Sequence, residues 1–185
     1  MDSSQKTNHQ FPLKPGQSVL ITGGARSGKS RFAEQLASHG KRVVYLATAE
    51  ALDPEMHARI EIHRSRRDPG WTTIEEPLEL LACLKKCEAQ FDLALIDCMT
   101  LWISNLMAAK LTDQEITARV DALVDYVHRP QFTLLLVTNE VGAGIVPEYP
   151  SGRRFRDLVG QSNQSLAAAA HAVYWLVSGI PVAVK

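Results

Sequence analysis

The sequence has no excess of charge of either sign and no segment long enough to span a membrane. Its 20 Lys and Arg residues balance 20 Asp and Glu residues, so the formal net charge at pH 7 is zero. Proteins whose main partner is nucleic acid usually carry a basic surplus, which is missing here. A spanning helix needs about 20 consecutive apolar residues, and no run approaches that length. We therefore expect neither a nucleic-acid partner nor a transmembrane segment.

Cysteine is scarce, and its spacing is not that of a zinc site. The chain has three cysteines, Cys83, Cys87 and Cys98. Cys83 and Cys87 lie four residues apart on a predicted helix, which is typical of reduced thiols in or beside a core. Unpaired thiols favour a reducing compartment, so we expect a cytoplasmic location.

The composition is that of one globular domain. Of the 185 residues, 45% are hydrophobic and 22% are charged, which suffices for a substantial core. Residues 1–16 are polar and interrupted by Pro12 and Pro15, so they are predicted to form a disordered leader. Residues 17–185 are predicted to form a single domain.

Apolar and amphipathic segments alternate along this domain, which predicts an α/β fold with a mostly parallel sheet flanked by helices in three layers. The predicted strands are Ser18–Thr22, Val43–Ala47, Leu93–Asp97, Phe132–Thr138 and Ala172–Val177. The predicted helices are Lys29–Ser38, Pro54–Arg67, Leu78–Ala89, a stretch within Thr100–Lys110, Asp113–His128 and Gly152–Ala170.

The segment Gly23–Ser30, called the phosphate loop below, matches the pattern Gly-x-x-x-x-Gly-Lys-Ser/Thr between a predicted strand and helix. Its glycines let successive backbone N–H groups face phosphate oxygens, and the helix dipole attracts the same anion. Lys29 can reach the outer phosphates, and the Ser30 hydroxyl can bind Mg²⁺. The pattern predicts a nucleoside triphosphate site in a phosphate-loop, RecA-like domain. Nucleotide contacts are expected from Gly24, Ala25, Arg26, Ser27, Gly28, Lys29, Ser30 and Arg31.

Polar residues follow the other predicted strands at the same edge of the sheet. Asp97 closes an apolar run and is a candidate to hold Mg²⁺ opposite Ser30, although strands also end in Asp to cap a turn. Ala49 and Glu50 follow the second strand and are candidates for nucleotide contact. Glu75 could bind a base or ribose, or it could cap the helix that begins near Leu78.

His63 lies among arginines on the predicted helix over residues 54–67. Neighbouring positive charge disfavours the imidazolium form, so His63 should be neutral near pH 7 and able to attack phosphorus. Arg64 and Arg67 could bind phosphate oxygens. From the pattern alone, an exposed histidine on a basic helix is the commoner arrangement, and both interpretations stay open.

A further polar cluster, Thr138, Asn139 and Glu140, begins a glycine-containing loop at the end of a predicted strand, which is typical of a loop that approaches a ligand. Arg154 lies in a polar stretch downstream, where a solvated face of an amphipathic helix is the alternative interpretation.

Taken in order, these residues resemble the bifunctional adenosylcobinamide kinase/adenosylcobinamide-phosphate guanylyltransferase family of cobalamin biosynthesis. The resemblance extends from about Ser18 to Lys185. Its segments are Thr22–Ser30, Tyr45–Ala49, Asp53, Met56, Arg59–Ile60, His63–Arg64, Trp71–Pro77, Asp97–Trp102, Asn105–Leu106, Thr138–Gly142, Gly144–Pro147, Phe155–Asp157, Gly160, Asn163–Gln164 and Ser178–Pro181.

The resemblance implies two reactions. A nucleoside triphosphate, ATP or GTP, phosphorylates adenosylcobinamide; GTP then guanylylates His63, and adenosylcobinamide phosphate takes up the GMP to give adenosylcobinamide-GDP. Lys29 and Mg²⁺ would serve catalysis, and Thr138, Asn139, Glu140 and Arg154 are candidates for contacting the corrinoid substrate. A homo-oligomer, such as a trimer, is also implied.

Two other functions are weighed against this one. The first is a phosphate-loop kinase of another small molecule in which His63 only binds phosphate. The second is a nucleotide-dependent switch protein, which usually needs an exposed apolar surface for its partner.

Overall fold

The computed structural model describes residues 13–49, 64 and 67–185. The predicted leader lies outside these residues as far as position 12, and the domain boundary at residue 16 stays a prediction. Glu50, His63 and nearly all of the predicted helix over residues 54–67 also lie outside them. In the described part of the chain, no helix has the length and apolar character needed to cross a membrane.

The described residues form seven strands and five helices. The strands are β1 (Ser18–Gly23), β2 (Val43–Ala47), β3 (Thr72–Glu75), β4 (Leu93–Asp97), β5 (Thr133–Val137), β6 (Ala172–Val177) and β7 (Ile180–Ala183). The helices are α1 (Lys29–Ala37), α2 (Leu80–Cys87), α3 (Met99–Ala108), α4 (Asp113–His128) and α5 (Pro150–Ala169).

All seven strands belong to one sheet in the order β3-β2-β4-β5-β1-β6-β7. The first six strands pair in parallel, and β7 pairs antiparallel with β6 at one edge. In the centre, Asp97 of β4 is paired with Ala47 of β2 and Val137 of β5. The carboxyl ends of these strands therefore meet at one edge of the sheet, called the rim below.

Helices cover both faces of the sheet. On one face, Phe32 and Leu36 of α1 pack against a core that includes Ile21 and Leu95. On the other face, α2 to α5 pack against alternate residues of the same strands, such as Ile96. Because each central strand is buried on both faces, it reads as an uninterrupted apolar run. The predicted three-layer fold is confirmed.

The two strands that the sequence did not predict lie at the sheet edges. In β3, Thr72, Thr73 and Glu75 are exposed, and β7 contains Pro181, which is tolerated at a sheet edge. The segment of β3 lacks the apolar run of a central strand, whereas β7 is apolar but short and contains a proline. The five strands that the sequence predicted, β1, β2, β4, β5 and β6, each have a neighbouring strand on both sides.

The starts of two helices differ in how well the sequence predicts them. Helix α4 starts at its predicted residue because the side chains and backbones of Thr112 and Glu115 form a reciprocal capping box. Helix α2 begins two residues later than predicted, after its N-cap residue Glu79. In the turn before it, the amides of Leu78 and Glu79 donate to the Glu76 carboxylate at 3.0 and 2.8 Å.

The three cysteines are free and buried, which confirms the reduced thiols predicted at Cys83 and Cys87. Burial raises the pKa of Cys83 to about 11 and that of Cys98 to about 12, and it also raises the pKa of Cys87. A raised pKa lowers the fraction of thiolate, which is the form that attacks disulfide reagents.

We therefore expect Ellman's reagent at pH 8 to react with the native cysteines ~100-fold more slowly than with the chain in guanidinium, where the thiol pKa returns to about 8.5. Absorbance at 412 nm measures both rates. Rapid release of three equivalents from the native protein would contradict the buried placement.

Candidate active site

The phosphate loop (Gly23–Ser30) joins β1 to α1 at the rim. Gly28 precedes α1 with φ +98°, and Arg26 also has a positive φ of 57°. Within the loop, the Ser27 amide donates to the Gly24 carbonyl oxygen at 3.3 Å. This curled backbone ends at the amino terminus of α1, which is the arrangement that the sequence predicts for anion binding. Gly24, Ala25, Arg26 and Arg31 are exposed, and Ser27, Gly28 and Ser30 are half-buried.

Lys29 is buried beneath this loop, with 6% of its surface exposed. Its ammonium donates to the Gly24 carbonyl oxygen at 2.5 Å and to the Ser27 hydroxyl at 3.4 Å. Desolvation lowers the pKa of Lys29, and the neighbouring Cys98 and Asp97 partly oppose that shift. The ammonium is thus held at the loop, where incoming phosphate oxygens can replace these two acceptors.

Asp97 lies across the rim from Lys29, at the end of β4. Its Oδ2 accepts a hydrogen bond of 2.8 Å from the hydroxyl of Tyr45, a residue of β2. The ring of Tyr45 is buried, and the guanidinium of Arg67 lies over it, 3.5 Å from the ring centroid. Burial is the main cause that raises the pKa of Tyr45 well above its usual range, and the negative charge of Asp97 raises it further. The hydroxyl therefore stays protonated and acts as a donor. The structure therefore brings the predicted residues Lys29, Asp97 and Arg67 to one place.

Sequence reasoning did not single out Tyr45 as a site residue, because it lies inside an apolar strand. A signal exists: a buried tyrosine usually needs a partner for its hydroxyl, and here the partner is the acidic residue of the adjacent strand.

Thr48 and Asn105 form hydrogen bonds that hold the ends of β2 and β4. Neither was identified as a site residue from the sequence. The Thr48 hydroxyl donates to the carbonyl oxygen of Cys98 and accepts from its amide, each at 2.8 Å. The Asn105 side chain donates to the carbonyl oxygens of Thr48 at 2.7 Å and Pro77 at 3.2 Å. These bonds hold the backbone beside Asp97 and the half-buried Ala49.

The three candidates for substrate contact after β5 differ in their exposure. Thr138 is fully buried, and its hydroxyl donates to Asn163 Oδ1 at 2.7 Å. Asn139 is half-buried, whereas Glu140 is exposed. The Glu140 amide donates to the Gly23 carbonyl oxygen at 3.0 Å, so this loop begins against the phosphate loop.

Glu75, at the end of β3, is exposed and pairs with Ala47 of β2, which places it at the rim. The alternative role of capping α2 is not observed, because no side chain among the described residues caps that helix. Arg154 on α5 donates to Asp113 Oδ1 at 2.5 Å and to the Leu111 carbonyl oxygen at 2.8 Å. Its guanidinium therefore joins α5 to the start of α4.

Arg64 is exposed, while Glu50 and the predicted nucleophile His63 are outside the described residues.

The hairpin of β6 and β7 supports the phosphate loop from the other side. Its turn has positive φ values at Ser178 (49°) and Gly179 (87°), and the Gly179 amide donates to the Ser27 carbonyl oxygen at 2.9 Å. A Cβ atom on Gly23 would lie 2.6 Å from the Leu176 carbonyl oxygen and 2.9 Å from Ser27 Oγ. Gly23 is thus required for close packing between hairpin and loop.

Gly23→Ala should lower the free energy of unfolding by about 2 kcal/mol or more, because the added methyl meets backbone at a positive φ. Gly24→Ala is the matched control, since its Cβ would meet nothing within 4 Å. For the control we expect a change within about 0.5 kcal/mol. Urea unfolding measures both, and equal losses would contradict the packing described.

Comparison with known proteins places this geometry in a family. Residues 19–184 match the family described as cobinamide kinase/cobinamide phosphate guanyltransferase. The bifunctional adenosylcobalamin biosynthesis protein CobU of Escherichia coli K12 is 41% identical over 179 residues, which cover 90% of this chain and 99% of that protein. The bifunctional adenosylcobalamin biosynthesis protein CobP of Pseudomonas aeruginosa is 42% identical over 167 residues, covering 90% of this chain and 96% of that protein.

Solved structures show the fold. An ATPase of the type III secretion system of pathogenic bacteria superposes with a TM-score of 0.55 at 12% identity, over 88% of this chain and 51% of that one. This chain thus spans about half the length of that ATPase. A protein from Pyrococcus horikoshii gives a TM-score of 0.56 at 11% identity, over 95% of this chain and 88% of that one. The predicted phosphate-loop, RecA-like fold is confirmed. Because the family match extends over residues 19–184 and relatives more than 40% identical are covered along nearly their whole length, the chain belongs to the cobinamide kinase/cobinamide phosphate guanyltransferase family.

Proposed function

We propose that this chain carries both activities of its family at one rim. It phosphorylates adenosylcobinamide with a nucleoside triphosphate and then transfers GMP from GTP to adenosylcobinamide phosphate. The observation that carries the proposal is the convergence of the buried Lys29 ammonium and the Asp97 carboxylate beside the phosphate loop. Positive charge for phosphates and a carboxylate for a cation are the two elements that phosphoryl transfer needs.

In the phosphorylation step, the loop amides and Lys29 bind the triphosphate. Lys29 exchanges its bonds to Gly24 and Ser27 for bonds to the outer phosphate oxygens. Burial strengthens this charge interaction because little water remains to screen it. The oxygen of the substrate hydroxyl forms a bond to the γ-phosphorus, and the bond from that phosphorus to the β–γ bridging oxygen breaks. The nucleoside diphosphate leaves with that oxygen, and the hydroxyl proton passes to water. ATP and GTP both satisfy these contacts, and we propose that either can serve this step.

Ser30 and Asp97 would hold Mg²⁺. Both offer oxygen atoms, which this cation prefers, and Tyr45 occupies only Oδ2 of the Asp97 carboxylate. A magnesium ion is commonly bound by phosphates and water with one or two protein ligands. When bound, the ion neutralises charge on the phosphate oxygens.

In the guanylyl step, we propose His63 as the nucleophile. Its imidazole nitrogen forms a bond to the α-phosphorus of GTP while the bond to the pyrophosphate oxygen breaks. A phosphate oxygen of the corrinoid substrate then takes the GMP and frees the histidine. Arg67 supports this proposal, because it follows His63 by four residues in the sequence and lies at the rim over Tyr45. Ala49, Glu50, Arg64 and Glu75 are proposed as further nucleotide contacts.

The corrinoid substrate is proposed to bind beside the loop after β5. Glu140 is exposed and is joined through its backbone to Gly23, so it lies close to the triphosphate. Asn139 is half-buried beside it, and the buried Thr138 holds this segment through Asn163. Arg154 stays a candidate, although its guanidinium bonds to Asp113 in this structure.

Assembly and location complete the proposal. We propose a homo-oligomer, such as a trimer, and the outer face of the β6–β7 hairpin supports it because Trp175 (48%), Ile180 (67%) and Val182 (44%) are exposed. The cytoplasm is proposed as the location, which is supported by the three free cysteines.

Incubation with GTP labelled at the α-phosphate should leave label covalently attached to the protein. The bond should be labile to acid and stable to alkali, as a histidine phosphoramidate is. His63→Ala should lose the label, and His128→Ala, a change at an exposed residue at the end of α4, should keep it.

The unaltered protein could phosphorylate adenosylcobinamide and yet carry no label. That result would contradict the covalent intermediate and would identify the protein as a kinase only. Undiminished label on His63→Ala would assign the nucleophile elsewhere. Autoradiography after denaturing electrophoresis distinguishes these results.

A further inference from the structure

Tyr45 contacts two groups at the rim through different parts of its side chain. Its hydroxyl donates to Asp97 Oδ2 at 2.8 Å, and its ring lies 3.5 Å below the Arg67 guanidinium carbon. Only 1% of its surface is exposed. The side chain is therefore enclosed by the core on one side and by two groups assigned to the nucleotide site on the other.

The hydroxyl of Tyr45 is held rigidly with respect to Asp97. Tyr45 belongs to β2, which pairs with β4 up to Ala47 and Asp97. Beyond this pair, the Thr48 hydroxyl bonds to both the amide and the carbonyl of Cys98, so the two strands cannot separate at their ends. A carboxylate at a strand end can otherwise adopt several rotamers, and the hydrogen bond from Tyr45 selects one.

Arg67 depends on the ring of Tyr45 in a similar way. Its Nε is buried without a hydrogen-bond partner among the described residues. Its Nη1 donates to the Thr73 hydroxyl at 3.4 Å, which is near the limit of a hydrogen bond. A guanidinium over an aromatic face is attracted by the ring quadrupole. Among the residues that the structure describes, the ring of Tyr45 is thus the main contact of the Arg67 guanidinium at the rim.

We propose that Tyr45 is a positioning residue for nucleotide binding: its hydroxyl orients Asp97 toward the magnesium ion, and its ring holds Arg67 toward the phosphates. This inference rests on the proposed function for the roles of Asp97 and Arg67. It adds a residue that touches neither nucleotide nor metal and that acts on both through separate atoms.

Two substitutions separate the two actions. Tyr45→Phe removes the hydroxyl and keeps the ring, so Asp97 loses its orienting bond while Arg67 keeps its support. Tyr45→Leu removes both. Tyr126→Phe is the control for loss of a tyrosine hydroxyl, because Tyr126 lies on α4, away from the rim.

The measurement is equilibrium binding of a fluorescent GTP analogue, with Mg²⁺ titrated in and with EDTA. For Tyr45→Phe we expect the Mg²⁺ concentration for half-maximal enhancement of binding to rise about tenfold, since loss of an outer-shell bond commonly costs metal affinity 10- to 100-fold. Its affinity in EDTA should stay within about twofold of the unaltered protein. Tyr45→Leu should also bind about fivefold more weakly in EDTA, because Arg67 loses its platform.

Coupling to Asp97 distinguishes positioning from a general structural effect. In an Asp97→Asn background, Tyr45→Phe should cause no further change in the Mg²⁺ dependence. An unchanged Mg²⁺ dependence in Tyr45→Phe alone, an equal change in Tyr126→Phe, or an additive effect in the double variant would overturn the proposal. Failure of the proposed function is a different result: the unaltered protein would bind the analogue without any Mg²⁺ dependence or would not bind it.

Discussion

The parallel pairing of β4 with β2 and β5 is the constraint on which the rim depends. It sets Asp97 level with Ala47 and Val137, so the ends of three strands and the loops that follow them lie at one edge. Register in a sheet with both faces buried cannot slip by one residue without moving every apolar side chain to the opposite face. The same apolar contacts that stabilise the domain thereby fix the acidic residue against Tyr45 and near Lys29.

A single phosphate loop at this rim suits two chemistries that share a triphosphate. Phosphorylation needs the γ-phosphorus to face the substrate hydroxyl, whereas guanylyl transfer as proposed needs the α-phosphorus to face His63. In both proposed reactions, Lys29 would bind the remaining phosphates, and only the approaching group would differ. Arg67, four residues after His63 in the sequence, contacts the ring of Tyr45 at the rim.

The sequence predicted the parts of the structure that obey strong local rules. The phosphate loop has a fixed spacing, the buried strands are apolar throughout, and the start of α4 is determined by Thr112 and Glu115. Edge strand β3 and the bond from Tyr45 to Asp97 could not be predicted in the same way, because each depends on which strands become neighbours. Strand order is a property of the whole chain, and an apolar strand does not reveal which acidic residue its tyrosine will meet.

The central claim is that one loop serves both reactions, and Lys29→Ala tests it most directly. Initial rates of adenosylcobinamide phosphorylation and of guanylylation by GTP are measured on the same preparation, with Lys41→Ala, a change at an exposed lysine, as the control. We expect both rates to fall about 100-fold or more, since loss of a preorganised charge commonly costs about that factor, and the control to keep both. Phosphorylation that survives in Lys29→Ala while guanylylation is lost would contradict the account.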